Sequence, residues 1–307
     1  MSVQSRSIII TGAGGFLAGF AARAFREAGW RVDGIGRSDR FAQAPLYDSF
    51  VLAELSAGGA LRTLIEQQRP AVVLHLAGPA NVGASMADPA GDLERHLVPA
   101  ARLFDAIRHA GTGTRVLLLS SAAVYGQSVT MPVAESSPLA PISPYGFHKR
   151  MQEMLCDEYL QMFGVPVCTA RVFSTFGEGM RQLAVWEITR RALRGDMSIN
   201  GTGDEMRDYL YAGDIARALV TIASRAAFRG EAINVASGRG TTIRELVTSI
   251  YRILGIDAEP RYSGTVAQGN PLQWTADVEA LRALGFAPPD SLEESLPRTV
   301  RWIREQP

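Results

Sequence analysis

The sequence predicts an α/β protein: a doubly wound, mainly parallel sheet followed by a smaller C-terminal lobe. Three observations carry that expectation. Short, apolar, β-rich runs alternate with helix-length segments through the first 173 residues, the order that a parallel sheet covered on both faces requires. The first run leads directly into the glycine turn TGAGG. Beyond residue 173 the alternation gives way to helices and polar links, which marks a second unit.

Residues 6–10 (RSIII) read as the first strand, 17–29 as an amphipathic helix closed by glycine, and 31–36 (RVDGIG) as the second strand. Residues 71–78 (AVVLHLAG) and 115–121 (RVLLLSS) are further strands, with a helical pattern across 93–110 between them, and 165–173 is another. Right-handed crossovers wind such a series to both sides of one sheet. In the second half, 182–195, 215–226, 242–254, 277–284 and 291–305 read as helices. Residues 231–237 read as a strand and 201–214 as a polar, glycine-punctuated link. The expected division is a sheet domain over 1–173, to which parts of 207–236 return, and a substrate lobe from 174–206 and 237–307.

Composition narrows the function classes. With 31 basic and 31 acidic residues among 307, the net charge gives no electrostatic reason to expect nucleic acid. Two cysteines, Cys156 and Cys168, sit in apolar surroundings and read as buried thiols rather than disulfide or metal ligands, so no metal is expected. No signal-type or membrane-spanning apolar stretch is visible, so the expected location is the cytoplasm, away from any membrane.

The opening IIITGAGGFLAG is the strongest physical signal. Gly12, Gly14 and Gly15 turn the chain between strand and helix, with Ala18 completing G-x-x-G-x-x-A. Bare glycine backbone lets a pyrophosphate reach the unpaired amides of the helix N-terminus, the dinucleotide site of a Rossmann domain. The expected cofactor contacts are Gly12, Gly14, Gly15, Phe16 and Leu17, with Leu76 and Ala77 ending the strand 71–78. After the second strand come Arg37 and Ser38, where NAD sites usually carry an acid. A guanidinium suits the extra 2′-phosphate, so the sequence favours NADP over NAD, although Asp33 and Asp39 flank the position. Glu54 reads equally as a partner for the adenine amino group and as surface charge.

The stretch SPYGFHK carries the chemistry. Tyr145 and Lys149 lie four apart at a helix start, on one face. The strand 115–121 delivers Ser120 and Ser121 to the carboxyl end of the sheet, where ligands collect. A phenol of pKa about 10 is a poor base at neutral pH; a nearby ammonium and an oxidised nicotinamide favour the phenolate. Tyr145 is therefore the expected proton donor and acceptor. Lys149 is expected to lower its pKa and hold ribose hydroxyls, and a serine to bond the reacting oxygen. Tyr125 reads as packing or cleft wall, His148 as a surface or interface histidine, His75 and His96 as structural or cofactor-adjacent, and His109 as exposed.

Together TGAGGFLAG, VVLHLAG, SSAAVYG, SPYGFHK, ARVFSTFGEGM and RDYLYAGD resemble the extended short-chain dehydrogenase/reductase family, in its nucleotide-sugar epimerase, dehydratase and reductase branch. The resemblance spans nearly the whole chain. It implies an NAD(P) domain, a small substrate lobe, and a homodimer through the helices near 95–110 and 149–163. It selects Ser121, Tyr145 and Lys149 as catalytic and Arg207 as the residue binding the substrate diphosphate. Several positions depart from the family pattern. Ser174 stands for an asparagine, Glu178 for a proline, His96 and Pro99 for an asparagine and a glycine, and Ala267 and Asn270 for an arginine and an acid. A second diphosphate arginine is then absent or supplied by Arg181, and Ser174 is expected at the substrate. The text GIGRSD is similar to NADP-using GDP-mannose dehydratases.

Dehydratases of this family place an acid after the catalytic serine or threonine, whereas this chain has Ala122 and Ala123, which have no proton to transfer. The leading expectation is an epimerase of a nucleoside-diphosphate sugar, acting at C4 through a transient keto sugar. The runner-up is an NADPH-dependent reductase of a 4-keto nucleotide sugar. Behind them stand a non-sugar alcohol dehydrogenase or ketone reductase, a dehydratase, and a non-catalytic NADP-binding regulator.

Overall fold

The structure, a computed structural model, describes residues 6–38, 46–128, 130–266, 268–289 and 291–307. In chain order the strands are β1 (Ser7–Thr11), β2 (Arg31–Gly36), β3 (Ser49–Leu52), β4 (Val72–His75), β5 (Arg115–Ser121), β6 (Val167–Val172), β7 (Ser174–Phe176), β8 (Ser198–Ile199), β9 (Met206–Tyr211), β10 (Arg229–Val235), β11 (Gly240–Thr242) and β12 (Arg261–Tyr262). Seven of them make one sheet in the order β10-β6-β5-β4-β1-β2-β3, every neighbour parallel. The chain order reverses between β1 and β4, which opens a crevice at the carboxyl ends of those strands.

The helices are α1 (Phe16–Glu27), α2 (Gly59–Gln68), α3 (Val82–Ala87), α4 (Pro89–Ala110), α5 (Pro144–Phe163), α6 (Leu183–Leu193), α7 (Ala212–Arg225), α8 (Ile243–Leu254), α9 (Glu279–Ala283) and α10 (Ser291–Arg304). Strand β1 is buried along its whole length, and the sheet separates two cores. On one face Phe25, Leu219, Ile222 and Leu281 of α1, α7 and α9 pack against Ile8, Ile10 and Leu74. On the other, Leu64, Leu103, Phe104 and Cys156 of α2, α4 and α5 cover Ile9, Val73 and Leu118. Apolar runs at the strands and 3.6-period stripes on the helices thus meet from both sides.

The lobe has its own core, in which Val185, Ile188, Leu246, Ile250, Leu296 and Val300 of α6, α8 and α10 surround Tyr209. Here the expected link over 201–214 contains β9, paired parallel with β7 and antiparallel with β11. Asp208 fixes it. Its carboxylate accepts the backbone amides of Ser237 (2.7 Å), Gly238 (2.9 Å) and Ala276 (3.1 Å). A polar text therefore hides a strand, because the charged residue spends itself on backbone rather than solvent. Of 207–236, only α7 and β10 join the large sheet's layers, and α9 packs on β10 as well. Among the described residues no helix is long and apolar enough to cross a membrane.

Candidate active site

The glycine turn is tight for a stated reason. Gly12 has φ +66°, and a Cβ there would lie 2.9 Å from the backbone N and Cα of Ala77. A Cβ on Gly14 would lie 2.7 Å from the carbonyl oxygen of Ser38. Gly15 precedes α1 in an extended conformation, with no side chain occupying the helix N-terminus. The first-turn amides therefore face a cleft of about 700 Å³ whose walls include Gly12, Gly15, Phe16, Leu17 and Leu76. Bare amides at a positive helix end fit the pyrophosphate of a dinucleotide.

Gly14, Arg37, Ser38, Glu54 and Ala77 lie outside that lining, around the ends of β2, β3 and β4. Arg37 is not free to take a phosphate unopposed: its Nε is 3.4 Å from the Glu54 carboxylate. Asp33 does not flank the site. It is buried within β2, where it accepts from Ser49 (2.6 Å) and Arg31 (3.1 Å). Asp39 lies outside the described residues.

At the end of β5 the two serines divide their work. Ser120 is buried and donates to Glu153 (2.7 Å), which also holds Arg171 through two bonds of 3.0 and 2.9 Å. That network clamps α5 to β5 and β6, and it leaves Ser121 as the hydroxyl for the cleft. Ser121 accepts from the Ala123 amide (3.2 Å) and shares a side-chain hydrogen bond with Tyr145. Tyr145 is placed by a helix cap: Ser143 accepts from the Gly146 amide (3.2 Å), and Pro144 occupies the first turn of α5. One turn on, Lys149 donates from Nζ to the Leu119 carbonyl (2.9 Å). It is the only lysine in the chain. At this one position the sequence uses an ammonium, which shifts its pKa readily when buried, rather than a guanidinium.

Burial dominates the electrostatics of the pair. It raises Tyr145 to about 12, with the Ser121 bond lowering it and Asp92 adding to the rise. It lowers Lys149 to about 8, against Asp92 and Glu153, which both raise it. The expected depression of the phenol by the lysine is thus not the net result in the protein by itself. Desolvation holds the phenol neutral.

Across the cleft the lobe supplies cations. Arg207 lines it, its guanidinium bonded to the Met206 carbonyl (2.8 Å) and set 5.6 Å from the Trp274 ring centroid. Asp208 faces away and does not pair with it. Ser174 lines the cleft too. Arg181 does not: it reaches Gln306 at 2.9 Å. The second cleft-lining arginine is Arg191 of α6, beside Asn200 (3.4 Å). The helix was legible, but periodicity could not tell which of Arg190, Arg191 and Arg194 turns inward. Glu178 shapes the lobe, bridging Tyr211 (2.8 Å) and Arg298 (2.5 Å).

His148 departs from expectation. It is buried, and its Nδ1 donates to Asp92 of α4 at 2.6 Å, because the face of α5 adjacent to Lys149 is the one that meets α4. His75 and His96 are buried and His109 is exposed. Tyr125 is a packing residue whose hydroxyl donates to Asn234 (2.7 Å). Among the described residues no three His, Cys, Asp or Glu side chains assemble as a metal set.

The NAD dependent epimerase/dehydratase family model matches residues 8–236. The chain belongs to this family. It is accordingly an NAD(P)-type enzyme of the extended short-chain dehydrogenase/reductase class. Similar curated members include the UDP-glucuronate 4-epimerase of Thermodesulfobacterium geofontis, 28% identical over 280 residues that cover 90% of this chain and 83% of that protein. The solved structure of Thermotoga maritima UDP-glucose 4-epimerase with UDP-glucose superposes with TM-score 0.87 at 27% identity, over 97% of this chain and 99% of that one. A double mutant of the Streptomyces venezuelae dTDP-glucose 4,6-dehydratase, with NAD bound, reaches TM-score 0.87 at 25% identity over 97% of both chains. Epimerase and dehydratase members share the fold equally, so the reaction has to be argued from side chains.

Proposed function

We propose that the protein is a nucleotide-sugar 4-epimerase using NAD. The carrying observation is a single cleft with Ser121, Tyr145 and Lys149 at its sheet end and Arg191 and Arg207 on its lobe side. Two guanidiniums suit a diphosphate, each able to grip its oxygens bidentately. Ser121 bonds the sugar oxygen, Tyr145 removes and returns its proton, and Lys149 holds ribose hydroxyls and offsets phenolate charge. The nicotinamide, when bound, supplies the hydride acceptor and donor. The keto sugar turns between the two transfers, and proton and hydride both return to it, so the reaction is balanced without net redox. Ala123 lines the cleft and Ala122 is buried beside it; neither offers the acid that dehydration needs. The 4-epimerase relatives support the reaction and a UDP-linked substrate. The Arg37–Glu54 pair supports NAD, because a 2′-phosphate would have to share the guanidinium with a carboxylate. We also propose a homodimer through the apolar outer faces of α4 and α5.

A second reading rests on Arg37, which is largely exposed: an NADPH-dependent reductase of a 4-keto nucleotide sugar. Incubation with NAD and UDP-glucose, UDP-glucuronate or UDP-N-acetylglucosamine, followed by proton NMR, separates the two. The expected product is a C4 epimer with no net change in nicotinamide absorbance. Stoichiometric NADPH consumption by a 4-keto sugar nucleotide, with no epimer formed from any of the three, would overturn the epimerase.

A further inference from the structure

Behind the cleft wall, between α4 and α5, lies a buried polar group that the proton chemistry above does not use. Asp92 is fully enclosed, with Oδ2 2.6 Å from His148 Nδ1 and 3.7 Å from His96 Nε2, while its Oδ1 has no partner. His96 is fully buried and neither ring nitrogen makes a hydrogen bond. Its ring is 5.7 Å from that of Tyr145 and 6.4 Å from that of His148. Gly78, which lines the cleft, lies against it: a Cβ there would be 2.6 Å from His96 Nδ1. A buried carboxylate bonded to the helix that carries Tyr145 and Lys149 is costly and needs a reason.

We propose that Asp92, held by His148, is a positioning residue that holds Lys149 as the ammonium and Tyr145 as the neutral phenol until substrate and cofactor are in place. The inference rests on the reading of Tyr145 and Lys149 as the proton-handling pair. Asp92 raises both groups, which is the sign the role requires. Other groups face the same space. From α5 come Gln152, bonded through Nε2 to the His96 carbonyl (2.9 Å), and Glu153, committed to Arg171 and Ser120. From β4 comes His75, bonded to Thr11 (2.9 Å), and from α3 Ser85, which accepts the Tyr145 amide (3.1 Å). Arg95 of α4 turns outward to Asp88 (3.0 Å). His96 itself is held neutral, lowered to about 2 by burial and then by Lys149, His148, His75 and Arg95. It therefore insulates Asp92 from water without cancelling its charge. Glu153 is shared with a guanidinium, whereas Asp92 is held by the His148 imidazole alone at 2.6 Å.

Because Lys149 is the sole lysine, protein labelled with 13Cε-lysine gives one side-chain NMR signal, whose titration reads this ammonium in the cofactor-free protein. Asp92→Asn is nearly isosteric and its amide oxygen still accepts from His148, so the charge goes while the hydrogen bond stays. The Lys149 midpoint is expected to fall by about one unit or more. His148→Leu should act in the same direction, because it removes the hydrogen bond that holds the Asp92 carboxylate in place. An unmoved midpoint in either folded variant overturns the proposal, whatever the activity. Tyr145→Phe reports on the base reading separately: full turnover there would remove that reading, while the Lys149 titration would still stand or fall alone.

Discussion

On the proposed reading, Tyr145 is a base that the protein by itself does not allow to act. Burial holds the phenol at about 12, so the phenolate awaits the positive charge of an oxidised nicotinamide beside it. Tyr145→Phe is expected to lower kcat by about 10²–10⁴-fold, the scale of positioned proton transfer, with NAD affinity changed less than about twofold because the ring still packs. Stopped-flow turnover and cofactor titration check the two halves. Lys149 makes the opposite trade. Its folded-state pKa of about 8 lies below the 10.5 of the free side chain. Across that window the unfolded chain binds more protons, and stability from this group rises with pH; below it the buried ammonium costs ~3 kcal/mol. Lys149→Met forfeits the bond to Leu119, so a net gain of about 1–2 kcal/mol is expected at pH 7. That gain should shrink to nothing by pH 10.5, while activity is lost throughout. Urea unfolding at several pH values reads the first effect, and a variant destabilised at pH 7 contradicts it.

At the scale of elements, α5 is the platform. Ser143 and Pro144 start it, the Glu153–Arg171 pair ties its middle to the sheet, and Gly164 ends it in the left-handed conformation. Its inner face carries Tyr145 and Lys149 and its side facing α4 carries His148. Its outer face exposes Phe147, Met151, Met154 and Met162 at helical spacing, Met154 at 56% and Met162 at 66%. Four large apolar side chains in one stripe are unusual for a lone surface, and Leu93 and Val98 of α4 are exposed as well. A double substitution Met151→Glu with Met154→Glu is expected to give monomers by light scattering at micromolar concentration, where the native chain is expected to run as the proposed dimer. An unchanged mass would locate any interface elsewhere.

At the scale of the whole molecule, the site exists only where sheet and lobe meet. The lobe's two arginines come from α6 and β9, and Asn81 after β4 reaches Gln182 at the start of α6 across the cleft (3.5 Å). Arg191→Ala and Arg207→Ala are each expected to raise KM for a UDP-sugar at least about tenfold, the loss of a charged bond to phosphate, with less effect on kcat. Initial-rate kinetics separate the two parameters. If Arg181→Ala proves the more damaging change, the diphosphate sits elsewhere in the lobe.

Local rules made much of this legible. The glycine turn, the strands 31–36 and 115–121, the i, i+4 pairing of Tyr145 with Lys149, and the long helices follow from period, capping and backbone freedom within short windows. Strand β9 was not legible, because what makes it a strand is Asp208 bonding to amides about 30 and 68 residues away. The choice of Ser121 over Ser120 came from the family resemblance rather than from local rules, since its physical reason is Glu153 across the chain; the inward turn of Arg191 in place of Arg181 was not legible. The burial of His148 against Asp92 needed two helices to be packed side by side. Sequence by itself therefore determined the elements and the chemical types available to the cleft, since those rest on covalent geometry and local propensity. Only tertiary structure decided which of those groups are desolvated, which are already spent on partners, and which remain to meet a substrate, because desolvation and pairing are properties of neighbours in space.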